Sequence, residues 1–349
     1  MRIAQIAPLT ESVPPRLYGG TERVVSYLTE ELVRMGHDVT LFASGDSRTS
    51  AALEAIWPVA LRFDPTLRDF TAPLVLLLET VCRQADEFDV LHFHIDYWPF
   101  SLFSRQRTPF LTTVHGRLDL PELQPVFDMF TDASVVSISD SQRAPLQANF
   151  IKTVHHGLPV DLLTPRPAQP HYLAFLGRIC PDKGPDRAIR IAQETGIPLK
   201  IAAKVDRVDQ EYYQSVIAPM IDGQHIQMLG EINEAQKPEF LSNAIGLLLP
   251  IEWPEPFGLV MIEAMACGTP VIAFNRGSVP EVIDHGLTGF IVEDEAEAVA
   301  AVPRLASLSR TAVRQCFERR FTARRMAEDY LSLYQRLAIK PRANLRVVT

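Results

Sequence analysis

The sequence predicts an α/β protein made of two doubly wound parallel sheets, each in its own domain. Short apolar runs rich in β-branched residues alternate with segments of helical periodicity, as they do in βαβ units. The proline-rich stretch TPRPAQP, Thr164 to Pro170, interrupts this alternation once, after which it restarts. The chain has 349 residues, more than a single core usually organises. We therefore expect a first domain over 1–165, a second over 166–325, and a final helix and tail over 326–349.

The first domain opens with RIAQIAP, which indicates a short buried strand. GGTERVVSYLTEELVRMGH follows, and its apolar residues recur at helical spacing. Four more apolar runs predict strands: DVTLFAS, DVLHFHI, FLTTVHG and ASVVSIS. Strands separated by helices are typical of a parallel sheet that carries helices on both faces.

The second domain repeats this alternation. Its predicted strands are YLAFLGR, LKIAAKV, IQMLGEI, the end of KPEFLSNAIGLLLPI, PVIAF and GFIV. Helices are predicted from GPDRAIRIAQETG and from the segment that follows Glu255. Open sheets of this kind bind ligands at the carboxyl ends of their strands, so functional residues are expected in the loops that follow strands.

Composition excludes several classes of function. A net charge of −8 argues against general nucleic-acid binding. The four cysteines are far apart and form no C-x-x-C pair, which indicates reduced thiols in a cytoplasmic protein. The start of the chain is not typical of a secretory signal, and its most apolar early stretch, PLVLLLETV, is far shorter than the roughly 20 residues that span a bilayer. We expect a soluble protein, or at most one peripheral to a membrane.

The segment EPFGLVMIEAMACG predicts a helix whose start is suited to a nucleotide sugar. Unpaired N–H groups at the start of a helix attract phosphates, and Gly258, Leu259 and Val260 would supply them. Glu255 precedes the helix, and Glu263 lies in its second turn, where a carboxylate can accept two hydrogen bonds from a ribose. The alternative is that both glutamates only favour the helix dipole.

Polar residues also follow other predicted strands. Arg178 and Lys183 lie in a loop after a strand, where two cations could clamp a diphosphate or simply be solvated. Gly19 and Gly20 give a loop without side chains before a helix, which could admit a phosphate or be only a turn. His115 ends a strand, although a lone histidine is more often structural. His92 and His94 share one face of a strand, and without an evident third metal ligand we interpret them as structural.

Five motifs in order carry a family resemblance over nearly the whole chain: YGGTE, TVHG, GRICPDKG, E-P-F-G-L-V-x-x-E with its continuation, and GSVPEVIDHGLTGFIV. Together they resemble the retaining GT-B glycosyltransferases of family 4, also called glycosyl transferases group 1. The resemblance implies two Rossmann-like domains that face each other across a cleft. It also implies that the last helix crosses back to the first domain. No D-x-D motif, by which GT-A enzymes hold a metal on the diphosphate, occurs in the sequence.

The resemblance implies transfer of a hexosyl group from a nucleoside diphosphate sugar to an acceptor hydroxyl, with retained anomeric configuration and without a metal or other cofactor. UDP-glucose or a related UDP-hexose is favoured over GDP-mannose as donor. The implied residues fall into a catalytic, a donor-binding and an acceptor-binding set. They are His115, Arg178, Lys183 and Glu255 (catalytic); Gly19, Gly20, Phe257, Gly258, Leu259, Val260 and Glu263 (donor); and Glu22 and Ser139 (acceptor).

Some features stay open at this point. The family usually has N-G near the domain boundary, where this chain has His155-His156-Gly157. The basic RRFTARR segment, continued by Lys340, Arg342 and Arg346, is either a solvated helix face or a site of attraction to anionic lipids. The acceptor could be a glycan, a lipid carrier or a small molecule. A nucleotide-sugar epimerase or hydrolase of the same fold, or a non-catalytic nucleotide-sugar-binding subunit, are the alternative functions.

Overall fold

The computed structural model describes residues 1–17 and 19–339, which form two compact units. The first unit comprises Met1–Gly157 together with the helix that begins at Ala323, and the second is Leu158–Thr322. The division lies before the predicted boundary near residue 165, because Leu158 already belongs to the second unit. Its backbone N–H donates to the carbonyl of Phe321 at 2.9 Å, and it bridges Thr322.

The first unit contains a sheet of seven parallel strands in the order β3-β2-β1-β4-β5-β6-β7. Our sequence analysis did not name β3 and β7, which lie at the two edges and are only half-buried. They therefore lack the continuous apolar run of the inner strands. The strands are β1 (Arg2–Ile6), β2 (Asp38–Ser44), β3 (Ala52–Trp57), β4 (Val90–Phe93), β5 (Phe110–Thr113), β6 (Ser134–Ser137) and β7 (Phe150–Thr153).

Helices connect these strands. They are α1 (Gly20–Arg34), α2 (Thr71–Gln84), α3 (Phe100–Phe103), α4 (Leu123–Met129) and α5 (Asp140–Arg143). The apolar stretch PLVLLLETV lies in α2, which buries Leu77 and Val81 but leaves Val75 and Leu76 exposed. Within residues 1–17 and 19–339, no helix combines the length and hydropathy needed to cross a bilayer.

The second unit contains six parallel strands in the order β10-β9-β8-β11-β12-β13. The strands are β8 (Tyr172–Arg178), β9 (Leu199–Lys204), β10 (Ile226–Gly230), β11 (Ala244–Leu249), β12 (Val271–Phe274) and β13 (Gly289–Val292). The helices are α6 (Pro185–Thr195), α7 (Gln210–Tyr212), α8 (Lys237–Ser242), α9 (Leu259–Ala266), α10 (Val279–Val282), α11 (Glu295–Ala301) and α12 (Arg310–Arg320). The predicted alternation of strands and helices is confirmed in both units.

The last helix, α13 (Ala323–Ile339), belongs to the first unit, where it packs against α1. Its Tyr330 and Tyr334 side chains are almost completely buried. Three cations of the basic tail, Lys340, Arg342 and Arg346, lie outside the described residues.

Strand order reverses once in each sheet, and such reversals create crevices for ligands at the carboxyl ends of the strands. In the first sheet the reversal lies between β1 and β4, and in the second between β8 and β11. In the second unit, the loop after β8 carries Lys183, and the loop after β11 carries Glu255.

Candidate functional site

Lys183 and Glu255, from two motifs 72 residues apart, meet at the strand-order reversal of the second unit. The ammonium group of Lys183 donates to Oε2 of Glu255. The indole N–H of Trp253 donates to the same oxygen at 2.9 Å. The ring of Trp253 also lies beneath the ammonium group, 4.8 Å from ring centroid to Nζ, within the range of a cation–π contact. The three side chains form a charged cluster where the loop after β8 meets the loop after β11.

Glycines bring the backbone of these loops close together. Gly184, with φ of 67°, ends the short turn that contains Lys183, and a Cβ there would lie 2.2 Å from the carbonyl of Pro250. Gly277, with φ of 58°, packs against the backbone of Glu255, and a Cβ there would lie 2.3 Å from it. These contacts, which only glycine permits, hold Lys183 and Glu255 on facing loops.

The start of α9 lies directly after the Glu255 loop. Gly258 precedes the helix with φ of 78°, and Leu259 and Val260 in its first turn are half-buried. The Phe257 ring is 2% exposed and packs edge-on against Phe321, with centroids 6.2 Å apart. Phe257 therefore anchors the turn through its side chain, while the first N–H groups of α9 lack intrahelical partners.

Glu263, in the second turn of α9, has a buried cation as its partner. Its Oε1 accepts a hydrogen bond from the ammonium group of Lys237 at 2.7 Å, and the two side chains are 4% and 10% exposed. Lys237 also pairs with Glu234 at 2.7 Å. A carboxylate has about four acceptor positions, so Glu263 retains capacity for a second donor.

Arg178, at the end of β8, lies near two carboxylates of the loop that follows β9. Its guanidinium nitrogens are 3.5 Å from Asp209 and 3.8 Å from Asp206, and the Arg178 side chain is 34% exposed. The negative charge of these carboxylates offsets part of the positive potential around Arg178.

The first unit has a cavity of about 430 Å³ at the carboxyl ends of β1, β4 and β5. Most of its wall is apolar, and polar groups lie at a few positions. The lining residues are Pro8, Leu9, Thr10, Thr21, Leu61, Phe70, Leu74, His94, Ile95, Asp96, Trp98, His115 and Gly116. A largely apolar pocket with a few polar groups is typical of a small-molecule site.

Asp96 is the carboxylate of this cavity. It has φ of 52°, a left-handed conformation that is uncommon outside glycine. Burial raises the pKa of Asp96 to about 6, and a hydrogen bond from the backbone of His115 acts in the opposite direction. Trp98 and Phe70, 45% and 59% exposed, present aromatic surface nearby.

His115 follows β5, is half-buried, and belongs to a cluster whose other histidines, His92, His94 and His156, are buried. Its Nε2 lies 2.9 Å from Nδ1 of His94, and its ring stacks on His156 with centroids 5.3 Å apart. Burial lowers the pKa of His115 to about 3 and holds the pKa values of His92, His94 and His156 well below normal. In the described part of the chain, no group of three potential ligands could hold a metal ion.

Other candidates of the first unit are engaged within the protein. Gly19 precedes α1, and a Cβ there would lie 2.8 Å from the ring of Pro15; Gly20 is the first residue of that helix. The buried Glu22 accepts from the backbone N–H of Glu11 at 3.3 Å, and burial raises its pKa.

Ser139 is also buried. Its hydroxyl caps α5 by accepting from the backbone N–H of Gln142 at 2.9 Å. The site roles that the resemblance implies for Gly19, Gly20, Glu22 and Ser139, like those of the other candidate residues, remain predictions.

Four residues of these sites were absent from the sequence-based set. Asp96 follows a strand, and Trp253 lies two residues before Glu255, so both carried a positional signal. Lys237 had none, since its contact with Glu263 spans 26 positions. Gln5 had none either, since its Oε1 lies 2.9 Å from Nε2 of His94, 89 positions away.

Two family descriptions match the chain in succession. Glycosyltransferase Family 4 matches residues 18–162, and Glycosyl transferases group 1 matches residues 164–316. The chain is 27% identical over 343 residues to phosphatidyl-myo-inositol mannosyltransferase of Mycobacterium leprae, covering 90% of this chain and 89% of that protein. It is 23% identical over 390 residues to spore coat protein SA of Bacillus subtilis, covering 96% and 100%.

Among solved structures, the chain is similar to Anabaena HepE in complex with UDP and glucose. The TM-score is 0.74 at 19% identity, and the alignment covers 97% of this chain and 100% of that one. At this identity the likeness concerns the fold. Together with the two successive family matches and the two Rossmann-like units, it leads to one assignment: the chain is a transferase of the GT-B fold that belongs to the group 1, family 4 glycosyltransferases.

Proposed function

We propose that the protein transfers a hexosyl group from a nucleoside diphosphate sugar to an acceptor hydroxyl, with retention of configuration and without a metal ion. The observation that carries this proposal is the contact between Lys183 and Glu255 at the strand-order reversal of the second unit. A cation suited to a diphosphate and an acceptor suited to a sugar hydroxyl thereby lie side by side, and the acceptor, Glu255, is in the loop that leads into α9.

The second unit would hold the donor. The ammonium group of Lys183 has three donors, of which Glu255 occupies one, so it can still bind a phosphate oxygen. Arg178 and the first N–H groups of α9, from Gly258 onward, would add positive charge as the diphosphate leaves. Glu263 would accept from the ribose hydroxyls. Fixed groups of this kind stabilise developing charge without reorganisation during the reaction.

A UDP-hexose is the donor we favour. The solved complex of HepE with UDP and glucose supports this choice through the shared fold. The mannosyltransferase of Mycobacterium leprae supports mannose as the second candidate. His115 would orient the hexose, as the resemblance implies.

The cavity of the first unit would take the acceptor. Its exposed aromatic side chains, Trp98 and Phe70, suit the C–H face of a ring, and Asp96 can accept from a hydroxyl. An acceptor with hydroxyls on one face and an apolar surface on the other fits this wall. A sugar or a polyol ring has this character.

The test is a panel of UDP- and GDP-sugars measured by titration calorimetry, followed by product analysis with candidate ring acceptors. Lys183→Met should weaken binding of the preferred donor by roughly 10- to 150-fold, because a hydrogen bond to a charged group contributes about 1.5–3 kcal/mol. The matched control is Lys200→Met, which removes another lysine that lies over an aromatic ring of the same unit, 4.3 Å from the centroid of Tyr172. Equal donor affinity of Lys183→Met and wild type would refute the role of Lys183 in donor binding. An anomeric proton coupling constant that shows inverted configuration in the product would refute retention.

A further inference from the structure

A chain of hydrogen bonds joins His115 to the last helix inside the first unit. Nε2 of His115 lies 2.9 Å from Nδ1 of His94, and Nε2 of His94 lies 2.9 Å from Oε1 of Gln5. The amide nitrogen of Gln5 donates to the hydroxyl of Tyr334 on α13 at 3.0 Å. His94, Gln5 and Tyr334 are each at most 3% exposed, so the chain is shielded from bulk water.

From Tyr334 the chain continues to a third histidine, His92. The Tyr334 hydroxyl lies 2.7 Å from Nδ1 of His92, and Nε2 of His92 lies 2.8 Å from the hydroxyl of Thr113. Thr113 in turn contacts the hydroxyl of Tyr330 at 2.9 Å. Two tyrosines of α13 therefore contact this chain, but only Tyr334 touches Gln5.

The side-chain amide of Gln5 determines where the protons lie. Its oxygen can only accept, so Nε2 of His94 must carry a proton. Burial keeps His94 neutral by lowering its pKa, and a neutral imidazole has one donor and one acceptor. Nδ1 of His94 is therefore the acceptor, and the proton between the two rings belongs to Nε2 of His115. Nδ1 of a neutral His115 then carries no proton.

We propose that Gln5, His94 and Tyr334 are positioning residues that hold His115 as its Nε2–H tautomer and leave its Nδ1 as an acceptor for a substrate hydroxyl. Nδ1 of His115 is buried and has no hydrogen-bond partner among the described residues, and His115 is one of the residues that line the cavity of the first unit. A hydroxyl that reaches the ring from the cavity would supply the missing donor. The contact with substrate depends on the proposed function, whereas the tautomer does not.

The tautomer is measurable in the ligand-free wild-type protein. Two-dimensional NMR of ¹⁵N-labelled histidine side chains distinguishes the nitrogen that carries a proton from the one that does not. We expect the His115 proton at Nε2, the His94 proton at Nε2, and a change in the His115 Nδ1 shift when substrate binds. A proton at Nδ1 of His115 overturns the inference, whatever the activity of the protein.

Two matched variants test the route through α13. Tyr334→Phe removes the acceptor that orients the side-chain amide of Gln5. The amide can then rotate and present its N–H group to His94, which would move the proton of each neutral imidazole, His94 and His115, to the other ring nitrogen. Tyr330→Phe removes an equally buried hydroxyl of the same helix without touching Gln5. We expect Tyr334→Phe to give a mixture of His115 tautomers and a roughly two- to twelvefold loss in kcat/KM, and Tyr330→Phe to preserve the tautomer.

Each outcome of these measurements has a distinct meaning. Equal effects of the two variants on the His115 nitrogen shifts would refute a specific role of Tyr334. If Tyr334→Phe does not fold, the wild-type spectrum still decides the tautomer. If the tautomer is as expected but substrate leaves the Nδ1 shift unchanged, the contact implied by the proposed function is wrong while the positioning chain stands.

Discussion

The buried pair of Lys237 and Glu263 provides a test that separates stability from donor binding. Both side chains are almost fully buried and lie 2.7 Å apart. Three variants dissect the pair: Glu263→Gln, Lys237→Met, and the double variant that carries both changes. Glu263 is proposed to hold the ribose, and Lys237 is not. The ranking of the three variants by stability should therefore differ from their ranking by UDP affinity.

Removing one partner of a buried ion pair costs about 3–5 kcal/mol, whereas replacing both by neutral groups is often close to neutral. Glu263→Gln should cost about 3 kcal/mol, the lower end of this range, because Glu234 still pairs with Lys237 at 2.7 Å. The double variant should be less destabilised than Glu263→Gln, because it leaves no unpaired charge at the buried position and only the partly exposed Glu234 loses its cation. Both variants without the Glu263 carboxylate should bind UDP roughly 10- to 150-fold more weakly, and Lys237→Met should keep most of its UDP affinity.

The assay combines titration calorimetry of UDP with native-state hydrogen exchange of the segment 237–266, which reports the unit that contains the pair. Glu293→Gln is the control, because it breaks an exposed pair of the same unit, with Arg276 at 3.2 Å, and should leave hydrogen exchange close to that of wild type, since water screens exposed pairs. A double variant as unstable as Glu263→Gln would refute the account of the pair. Wild-type UDP affinity in the double variant would refute the ribose contact.

Three further predictions concern pH and metal. The KM for acceptor should rise as pH falls through about 6, because the raised pKa of Asp96 lets its carboxylate take up a proton there; Asp96→Asn should remove this pH dependence in initial-rate assays. The free energy of unfolding should fall as the pH drops below about 6.5, because His92, His94 and His156 take up protons only in the unfolded protein. Each of these histidines should contribute up to about 1.4 kcal/mol for each pH unit. An unchanged midpoint of urea unfolding between pH 7 and pH 5 would contradict this. Turnover should survive a chelator, and its loss with recovery on adding Mg²⁺ or Mn²⁺ would refute metal-free transfer.

Local patterns predicted most of the architecture, because the inner strands are buried on both faces and so are continuously apolar. The strand YLAFLGR was predicted to the residue as β8. The edge strand β7 escaped notice, since FIKT is half-buried and mixes polar with apolar residues. The loops of the donor site could also be recognised, because Arg178 ends a strand and Lys183 and Glu255 lie in loops that follow strands.

Side-chain partners could not be predicted in the same way. That Glu263 pairs with Lys237, and that His115 is linked through His94 to Gln5, follows from the packing of distant segments. A buried lysine has the same letter in the sequence as an exposed one. Only the three-dimensional arrangement shows that it is shielded from water and which carboxylate it neutralises.

The return of α13 to the first unit has a consequence for biosynthesis. Residues 158–322 leave the ribosome before Tyr330 and Tyr334 do. The sheet of the first unit therefore lacks α13 for as long as the second unit is being translated. At usual elongation rates this delay is roughly 10–30 s. A recombinant fragment that ends at Gly157 would remain in that unfinished state, with His92 and Gln5 deprived of their tyrosine partner, whereas residues 158–322 form a contiguous fragment suited to separate expression.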